Sequence, residues 1–180
     1  MFRRGFRRGA MRQAMQPEVP PMLIRAHELM AAGNYPAAAE AFEQLARAGE
    51  ARQHPKTGQL YLQAGRARIL AGQKEAGFAH LKRGLGLMVR RPVLLFRAGN
   101  RVVAELNERG MSAEAQEIAQ WLKANLPVQP ETRTASAKKP VLPTNCPGCG
   151  GPVRTDELDW IDETTAECAW CGRPVRAEGR

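Results

Sequence analysis

Four cysteines near the carboxyl terminus are the residues of this chain best suited to chemistry. They form two C-x-x-C pairs, Cys146 with Cys149 and Cys168 with Cys171, and the sequence has no other cysteine. Two residues between paired cysteines let one tight turn direct both sulfurs at the same ion. Together the pairs supply the four thiolates of a closed tetrahedral site, which has no open position for water or substrate. The spacing therefore predicts a structural metal site rather than a catalytic one.

The two cysteine pairs lie in matching contexts, C-P-G-C-G-G-P-V-R from Cys146 and C-A-W-C-G-R-P-V-R from Cys168. This is an internal repeat at an offset of 22 residues. The glycine after each second cysteine permits a backbone turn, and the proline two residues later ends the knuckle and starts a short strand. Between the knuckles we expect a β-hairpin over residues 158–167 that turns at Asp162.

This arrangement resembles the zinc-ribbon family over residues 144–177. The resemblance implies one structural Zn²⁺, and metal binding must supply most of the folding free energy of so short a segment. Two other chemistries remain open. Iron is bound by the same knuckles in rubredoxin-like sites, and sulfur ligands alone do not separate the two metals. A thioredoxin-like redox pair is the other alternative, although the sequence has no βαβ pattern around either pair.

Residues 17–126 have the periodicity of helical hairpins. Three glycines, Gly33, Gly72 and Gly110, recur at intervals of 39 and 38 residues, and each interrupts a pair of amphipathic segments. A fixed period in this range is typical of stacked helical pairs, because one pair cannot bury its apolar face alone. The sequence therefore predicts a mainly α protein with three stacked antiparallel helical hairpins. A small β-hairpin zinc ribbon follows at the C-terminus.

The first hairpin resembles a tetratricopeptide repeat. The small, glycine, aromatic, alanine and large apolar positions of that family are occupied by Ala26, Gly33, Tyr35, Ala38 and Phe42. The resemblance covers residues 19–126, its motifs are degenerate, and both glycine intervals exceed the family period of about 34 residues. A helical bundle with accidental periodicity is the alternative.

The same resemblance implies candidate partner-binding residues. In this family the first helices of the pairs line a concave groove. Gln63, Arg97 and Arg101 fall where members that bind peptide carboxylates carry amide and basic side chains. The first repeat departs from that pattern, because it has Leu23 and His27 at those positions. An acidic peptide or protein is the expected partner, and the alternative is that these are ordinary solvated helix residues.

The N-terminal residues 1–16 contain a tandem F-R-R-G repeat with five arginines and no acid. Those arginines are Arg3, Arg4, Arg7, Arg8 and Arg12. Arginine with interleaved aromatics suits contacts with phosphates and bases, or with anionic lipid. We expect a disordered basic tail, for which a purely solubilising role is the alternative. Residues 127–143 are rich in Pro, Thr, Ser and Lys and are expected to form a linker before the ribbon at 144–180.

The net charge of +9 is unevenly distributed. Residues 51–126 carry 13 bases and 5 acids, a balance of +8, whereas residues 146–180 carry 4 bases and 7 acids, a balance of −3. These opposite charges predict a weak, salt-sensitive docking of the ribbon on the helical face around Arg97 and Arg101. The linker is expected to leave the two modules otherwise uncoupled.

The sequence does not favour an enzyme. Its three histidines, His27, His54 and His80, stand far apart with no nucleophile at a catalytic spacing, and phosphate-binding glycine motifs are absent. No apolar run approaches the roughly 20 residues of a membrane span, and no secretory signal is visible. Free cysteines suit a reducing compartment such as the cytoplasm. We therefore expect a non-enzymatic interaction adaptor, and the alternative is a nucleic-acid-associated protein that uses the arginine tail and the basic helical face.

Overall fold

A computed structural model describes residues 18–126, 141–155, 158–162 and 164–177. The expected basic tail, with Arg3, Arg4, Arg7, Arg8 and Arg12, lies outside these ranges, as do residues 127–140 of the expected linker.

The described part of the N-terminal region consists of six α-helices. Their bounds are Pro21–Ala31 (α1), Tyr35–Ala51 (α2), Thr57–Leu70 (α3), Lys74–Gly86 (α4), Pro92–Glu108 (α5) and Ser112–Asn125 (α6). None of these helices combines the length and apolar character that a bilayer crossing needs. Consecutive helices pack against each other, so the expected mainly helical fold is present.

The three predicted helix breaks are confirmed at Gly33, Gly72 and Gly110. Their φ angles are +75°, +82° and +71°, a region that residues with a Cβ rarely adopt. In each turn, the amide that follows the glycine donates to the carbonyl five residues earlier, at 2.8–2.9 Å. This bond caps the end of the first helix of each pair and reverses the chain into the second.

Helices α3 and α4 approach each other through glycine. A Cβ on Gly65 would lie 2.7 Å from the carbonyl oxygen of Gly77, and a Cβ on Gly58 would lie 2.8 Å from that of Gly84. The two pairs are spaced by seven residues on both helices, so the backbones stay close over two helical turns. The middle helical pair is therefore held at a separation that larger residues would not allow.

The C-terminal region forms a small antiparallel sheet of three strands, β1 (Asp159–Trp160), β2 (Thr165–Glu167) and β3 (Pro174–Arg176), in the order β1-β2-β3. The predicted hairpin and its turn at Asp162 are confirmed. The Asp162 carboxylate accepts hydrogen bonds from the amides of Thr164 and Thr165, at 2.8 and 2.7 Å. As predicted, β3 begins at the proline that follows the second knuckle.

The C-terminal residues 141–177, hereafter the cysteine module, share an apolar core with the first three helices. Trp170, Leu158 and Val175 of the module belong to the same buried cluster as Phe42 and Leu23. A second cluster joins α3 to α4, α5 and α6. The expectation of two uncoupled modules is therefore wrong.

Charge alone predicted a contact of the module around Arg97 and Arg101 on α5. Arg154 of the module does lie 3.5 Å from Glu105, one helical turn after Arg101. The apolar part of the interface lies against α1–α3 and was not predicted. Long-range charge complementarity is screened and non-directional, whereas close packing stabilises an interface by roughly 25 cal/mol for each Å² of apolar surface that it buries. Apolar packing therefore adds a contribution that the charge pattern does not reveal.

Candidate functional site

The four cysteines converge at one point. All four Sγ atoms lie within 4.8 Å of one another, and the Cys146–Cys171 and Cys149–Cys168 sulfur distances are both 3.8 Å. Sulfurs at about 2.3 Å from a tetrahedral zinc ion are separated by about 3.8 Å along the edges. A disulfide would require about 2.05 Å, and all four cysteines are free. The cluster can hold a metal ion, and four soft thiolates suit zinc or iron.

Both knuckles position their sulfurs with the same local bonds. In each, the amide two residues after the first cysteine donates to the sulfur of that cysteine, at 3.4 Å. Gly150 and Gly172 have φ angles of +71° and +77°, which fits the turn predicted at these glycines. Their amides donate to the carbonyls of Cys146 and Cys168, at 2.9 and 3.0 Å. The internal sequence repeat is therefore also a structural repeat.

Proximity perturbs the acidity of the thiols. The main cause is a hydrogen bond between the side chains of Cys146 and Cys149. It lowers the pKa of the Cys146 thiol and raises the pKa of the Cys149 thiol. Without a cation, four thiolates at these distances would repel one another, so some protons are retained. A divalent ion would replace those protons, and metal binding is therefore coupled to proton release.

The two knuckles pack against each other reciprocally. A Cβ on Gly151 would lie 2.5 Å from Cδ1 of Trp170, and a Cβ on Gly148 would lie 2.7 Å from Cδ of Arg173. Each large side chain thus covers a glycine of the opposite knuckle. The Trp170 indole also donates to the Pro152 carbonyl at 2.9 Å, which fixes its orientation.

His27 of α1 lies at the interface between the helices and the cysteine module. Its ring is 5.2 Å from that of Phe42 and 5.6 Å from that of Trp170, in edge-to-face geometry. Burial lowers the pKa of His27 to about 4, so the imidazole is neutral at pH 7. Its buried Nε2 has no hydrogen-bond partner among the described residues. The sequence indicated only that His27 has no catalytic partner nearby and did not predict its contact with Trp170.

Lys56, immediately before α3, binds the second knuckle. Its Nζ donates to Oε1 of Glu167 at 2.9 Å and to the carbonyl of Cys168 at 2.7 Å. The Lys56 side chain is 17% exposed and that of Glu167 is 42% exposed, so this ion pair is only partly shielded from water. A residue of the helical domain therefore holds the backbone of a cysteine in the cluster.

A cleft of about 860 Å³ opens between α1, α3, α5 and the cysteine module. Two of the three predicted partner-binding residues, Gln63 and Arg101, line it. Arg97 lies one turn earlier on α5 and is not among the described lining residues. The charged lining residues within the described ranges are Arg66, Arg101, Arg109, Arg154, Glu105 and Glu108.

Glu105 connects the two sides of this cleft. Its Oε2 accepts a hydrogen bond from Nε of Arg66 on α3 at 2.7 Å, and its Oε1 lies 3.5 Å from Nη1 of Arg154 in the module. Nη2 of Arg66 is buried and has no hydrogen-bond partner among the described residues. Arg66, Glu105 and Arg154 were not predicted, because their proximity depends on how the module packs on the helices.

Comparison with protein-family models finds no match to this chain. Comparisons with curated proteins and with solved structures likewise find no significant match. The function of this chain is therefore inferred from the geometry of the cysteine cluster and the cleft.

Proposed function

We propose that this protein is a non-enzymatic interaction adaptor, in which a structural zinc ion stabilises a zinc-ribbon module that forms one wall of a partner-binding cleft. The helical domain is proposed to be a degenerate tetratricopeptide-repeat scaffold that forms the other walls. The observation that carries the proposal is the cleft, where Gln63 and Arg101 line the same space as Arg154 of the module. The partner class proposed is an acidic segment of another protein.

The chemistry of the donor set supports a structural role for the metal. Four thiolates complete the tetrahedral shell of zinc and leave no position for a substrate. When bound, the ion would stabilise the two knuckles and hold them together, and the knuckles in turn hold Trp170 against α1. The chain's own residues then provide the binding surface. Reduced thiols at such a site suit the cytoplasm, which we propose as the compartment.

The test is a binding experiment with an acidic peptide on the full-length, metal-loaded protein. A fluorescein-labelled pentaglutamate should bind, and a pentaglutamine of the same length should not, at about 0.15 M salt, where distant exposed charges are screened. Equal binding of the two peptides, or of neither, would contradict the proposed partner class.

The tandem F-R-R-G of residues 2–9 favours a second candidate function, association with nucleic acid. Arginine and phenylalanine together support phosphate contacts and base stacking. The cysteine module does not favour this function, because four thiolates and one Zn²⁺ change its charge balance from −3 to −5 (−3 − 4 + 2). A mobility-shift assay on mixed DNA and RNA at several salt concentrations separates the two candidates.

A further inference from the structure

We propose that Arg66 of α3 and Arg154 of the cysteine module form a carboxylate-binding site, which a carboxylate of the partner enters by replacing Glu105. This inference rests on the proposed adaptor function and assigns its acidic ligand to particular atoms. The site spans two modules, so it exists only when the cysteine module is docked.

The first support is that Glu105 occupies this place as an internal carboxylate. It accepts from Nε of Arg66 at 2.7 Å, while its contact with Arg154 is long, at 3.5 Å. A guanidinium presents five N–H donors in a rigid fork that matches a carboxylate with two parallel hydrogen bonds. Glu105 accepts only one hydrogen bond from Arg66, so the second of the two parallel hydrogen bonds that the Arg66 guanidinium can donate is not made to Glu105. A carboxylate from outside the chain can approach both arginines without the constraint of being attached to α5.

The second support is an incompletely paired arginine. Nη2 of Arg66 is buried, and no described residue accepts a hydrogen bond from it. A buried charged donor without an acceptor has lost its hydration and gained no hydrogen bond in exchange, which destabilises the unliganded site. A ligand oxygen that reached this nitrogen would supply the missing acceptor, and a charged carboxylate oxygen would form a stronger hydrogen bond than a neutral one.

The third support is the charge of the cleft. Among the described residues, its lining contains four arginines and two glutamates, which gives these residues a balance of +2 (4 − 2). The cleft volume of about 860 Å³ lies within the range of about 300–1,000 Å³ that is usual for ligand sites. An acidic peptide side chain can therefore enter, and one or two further carboxylates bring the lining close to neutrality.

The position of Arg154 makes the site dependent on the metal. Arg154 follows the first knuckle directly, five residues after Cys149. The module holding it is too short to fold on its own apolar surface, and its packing on α1–α3 requires the two knuckles to be held together, so metal binding is expected to order it. Loss of the metal is expected to remove Arg154 from the cleft while leaving Arg66 on α3.

The internal repeat provides a matched control. Arg154 and Arg176 occupy the same position of the two C-x-x-C-G-x-P-V-R units, but Arg176 is exposed on β3 and does not line the cleft. Labelled pentaglutamate is titrated by fluorescence anisotropy into the full-length, metal-loaded wild type, Arg154→Ala and Arg176→Ala. Arg154→Ala should bind about tenfold more weakly, since a hydrogen bond to a charged group is removed, and Arg176→Ala should bind like the wild type.

Glu105→Gln tests the replacement step. Removing the internal carboxylate should tighten pentaglutamate binding several-fold, because the peptide no longer competes with a tethered acid. Cys149→Ser, which removes a metal ligand, should weaken binding at least as much as Arg154→Ala.

The outcomes separate this inference from the proposed function. If pentaglutamate binds the wild type but Arg154→Ala and Arg176→Ala bind it equally, the site is wrong while the acidic-partner function stands. Weaker binding by Glu105→Gln would overturn the replacement step, and unchanged binding by Cys149→Ser would overturn the metal dependence. If the wild type does not bind pentaglutamate, the acidic-partner function fails as well.

Discussion

The imidazole of His27 and the indole of Trp170 meet edge to face, with ring centroids 5.6 Å apart and an interplanar angle of 66°. Both side chains are only 5% exposed. Aromatic pairs in this geometry stabilise the fold by about 0.5–1.5 kcal/mol, in addition to the free energy gained from the apolar area that they bury. His27 lies on α1 and Trp170 between two cysteines of the cluster, so the contact links the helical domain directly to the metal-binding knuckle.

Gly151→Ala is expected to loosen this interface. The added Cβ would lie 2.5 Å from Cδ1 of Trp170 and 2.8 Å from Nε2 of His27, so at least one ring must move. Overpacking of this kind costs about 1–3 kcal/mol, which lowers the unfolding temperature of a protein of this size by several degrees. Thermal unfolding followed by circular dichroism measures the shift. Metal content should stay the same, because the hydrogen bond from Cys146 uses only the Gly151 carbonyl.

Gly86→Ala is the control for this substitution, because nothing lies within 4 Å of a Cβ at that helix position. It should leave the unfolding temperature unchanged or raise it slightly, since alanine is the better helix former. Equal effects of the two substitutions would show that the close approach at Gly151 is not responsible.

Glu43 is expected to make the stability of the helical domain depend on pH. Its carboxylate accepts two hydrogen bonds from Arg68, at 2.6 and 3.0 Å, and lies 3.0 Å from Nε2 of His80. The hydrogen bonds from Arg68 are the main cause that lowers the pKa of Glu43. A carboxyl whose folded pKa is depressed stabilises the fold above its unfolded pKa, about 4.3, and loses that contribution as pH falls through the folded value.

Glu43→Gln should therefore destabilise the protein by about 1.5–3 kcal/mol at pH 7, and the deficit should shrink as the pH falls below about 4. Urea unfolding of the wild type and the variant, at pH 7 and at a pH below about 4, measures the difference in the free energy of unfolding at each pH. Glu28→Gln is the control, because the Glu28 side chain is 59% exposed and its pair with Arg25 spans only three residues. A deficit for Glu43→Gln that stays constant with pH would contradict the prediction.

The local elements of this fold were predictable from the sequence, because their causes are local. Gly33, Gly72 and Gly110 mark turns that require a positive φ, and the C-x-x-C-G knuckles encode their own backbone bonds. The cluster of four cysteines follows from that local chemistry. The only match across the chain that the site required was between the two cysteine pairs, 22 residues apart.

The apolar packing of the module on α1–α3 was not predictable by the same means. Lys56 and Glu167 are separated by 111 residues, and neither helical periodicity nor net charge identifies such a pair. One signal was available in the internal repeat. The position after C-x-x-C-G is Gly151 in the first knuckle and Arg173 in the second. The small residue stands where Trp170 and His27 leave no space for a side chain, so this difference marks the face that packs on the helices.

Deleting residues 2–12 is expected to leave the unfolding temperature unchanged, because this segment has no apolar periodicity with which to bury surface. If the protein associates with nucleic acid, the deletion should also lower affinity. The slope of log affinity against log salt concentration should then become less negative by up to about five, which is about one unit for each lost arginine–phosphate contact. Mobility shifts at several salt concentrations measure the slope. Absence of binding by the intact protein at low salt would contradict the nucleic-acid function.

The purified protein is expected to contain one tetrahedrally bound metal ion per chain. The protein would be colourless with zinc and red with iron, and elemental analysis identifies the metal. Cys149→Ser should lose the ion, because three thiolates and a hydroxyl are a much poorer donor set for a soft site. Substoichiometric metal in freshly prepared wild type would contradict this expectation.

Metal loss should also destabilise the helices, which distinguishes a shared core from two independent modules. Trp170 and Val175 are buried in the same cluster as Phe42 of α2, so an unfolded module would expose apolar surface on α1–α3 to water. Exposing one large buried side chain costs about 1.5–3 kcal/mol, and the helical unfolding temperature should therefore fall by several degrees in Cys149→Ser and in chelator-treated wild type. Circular dichroism at the helical minimum records this transition. An unchanged helical transition after complete metal removal would mean that the packing of Trp170 against His27 does not stabilise α1–α3, and the shared core would then have no energetic consequence.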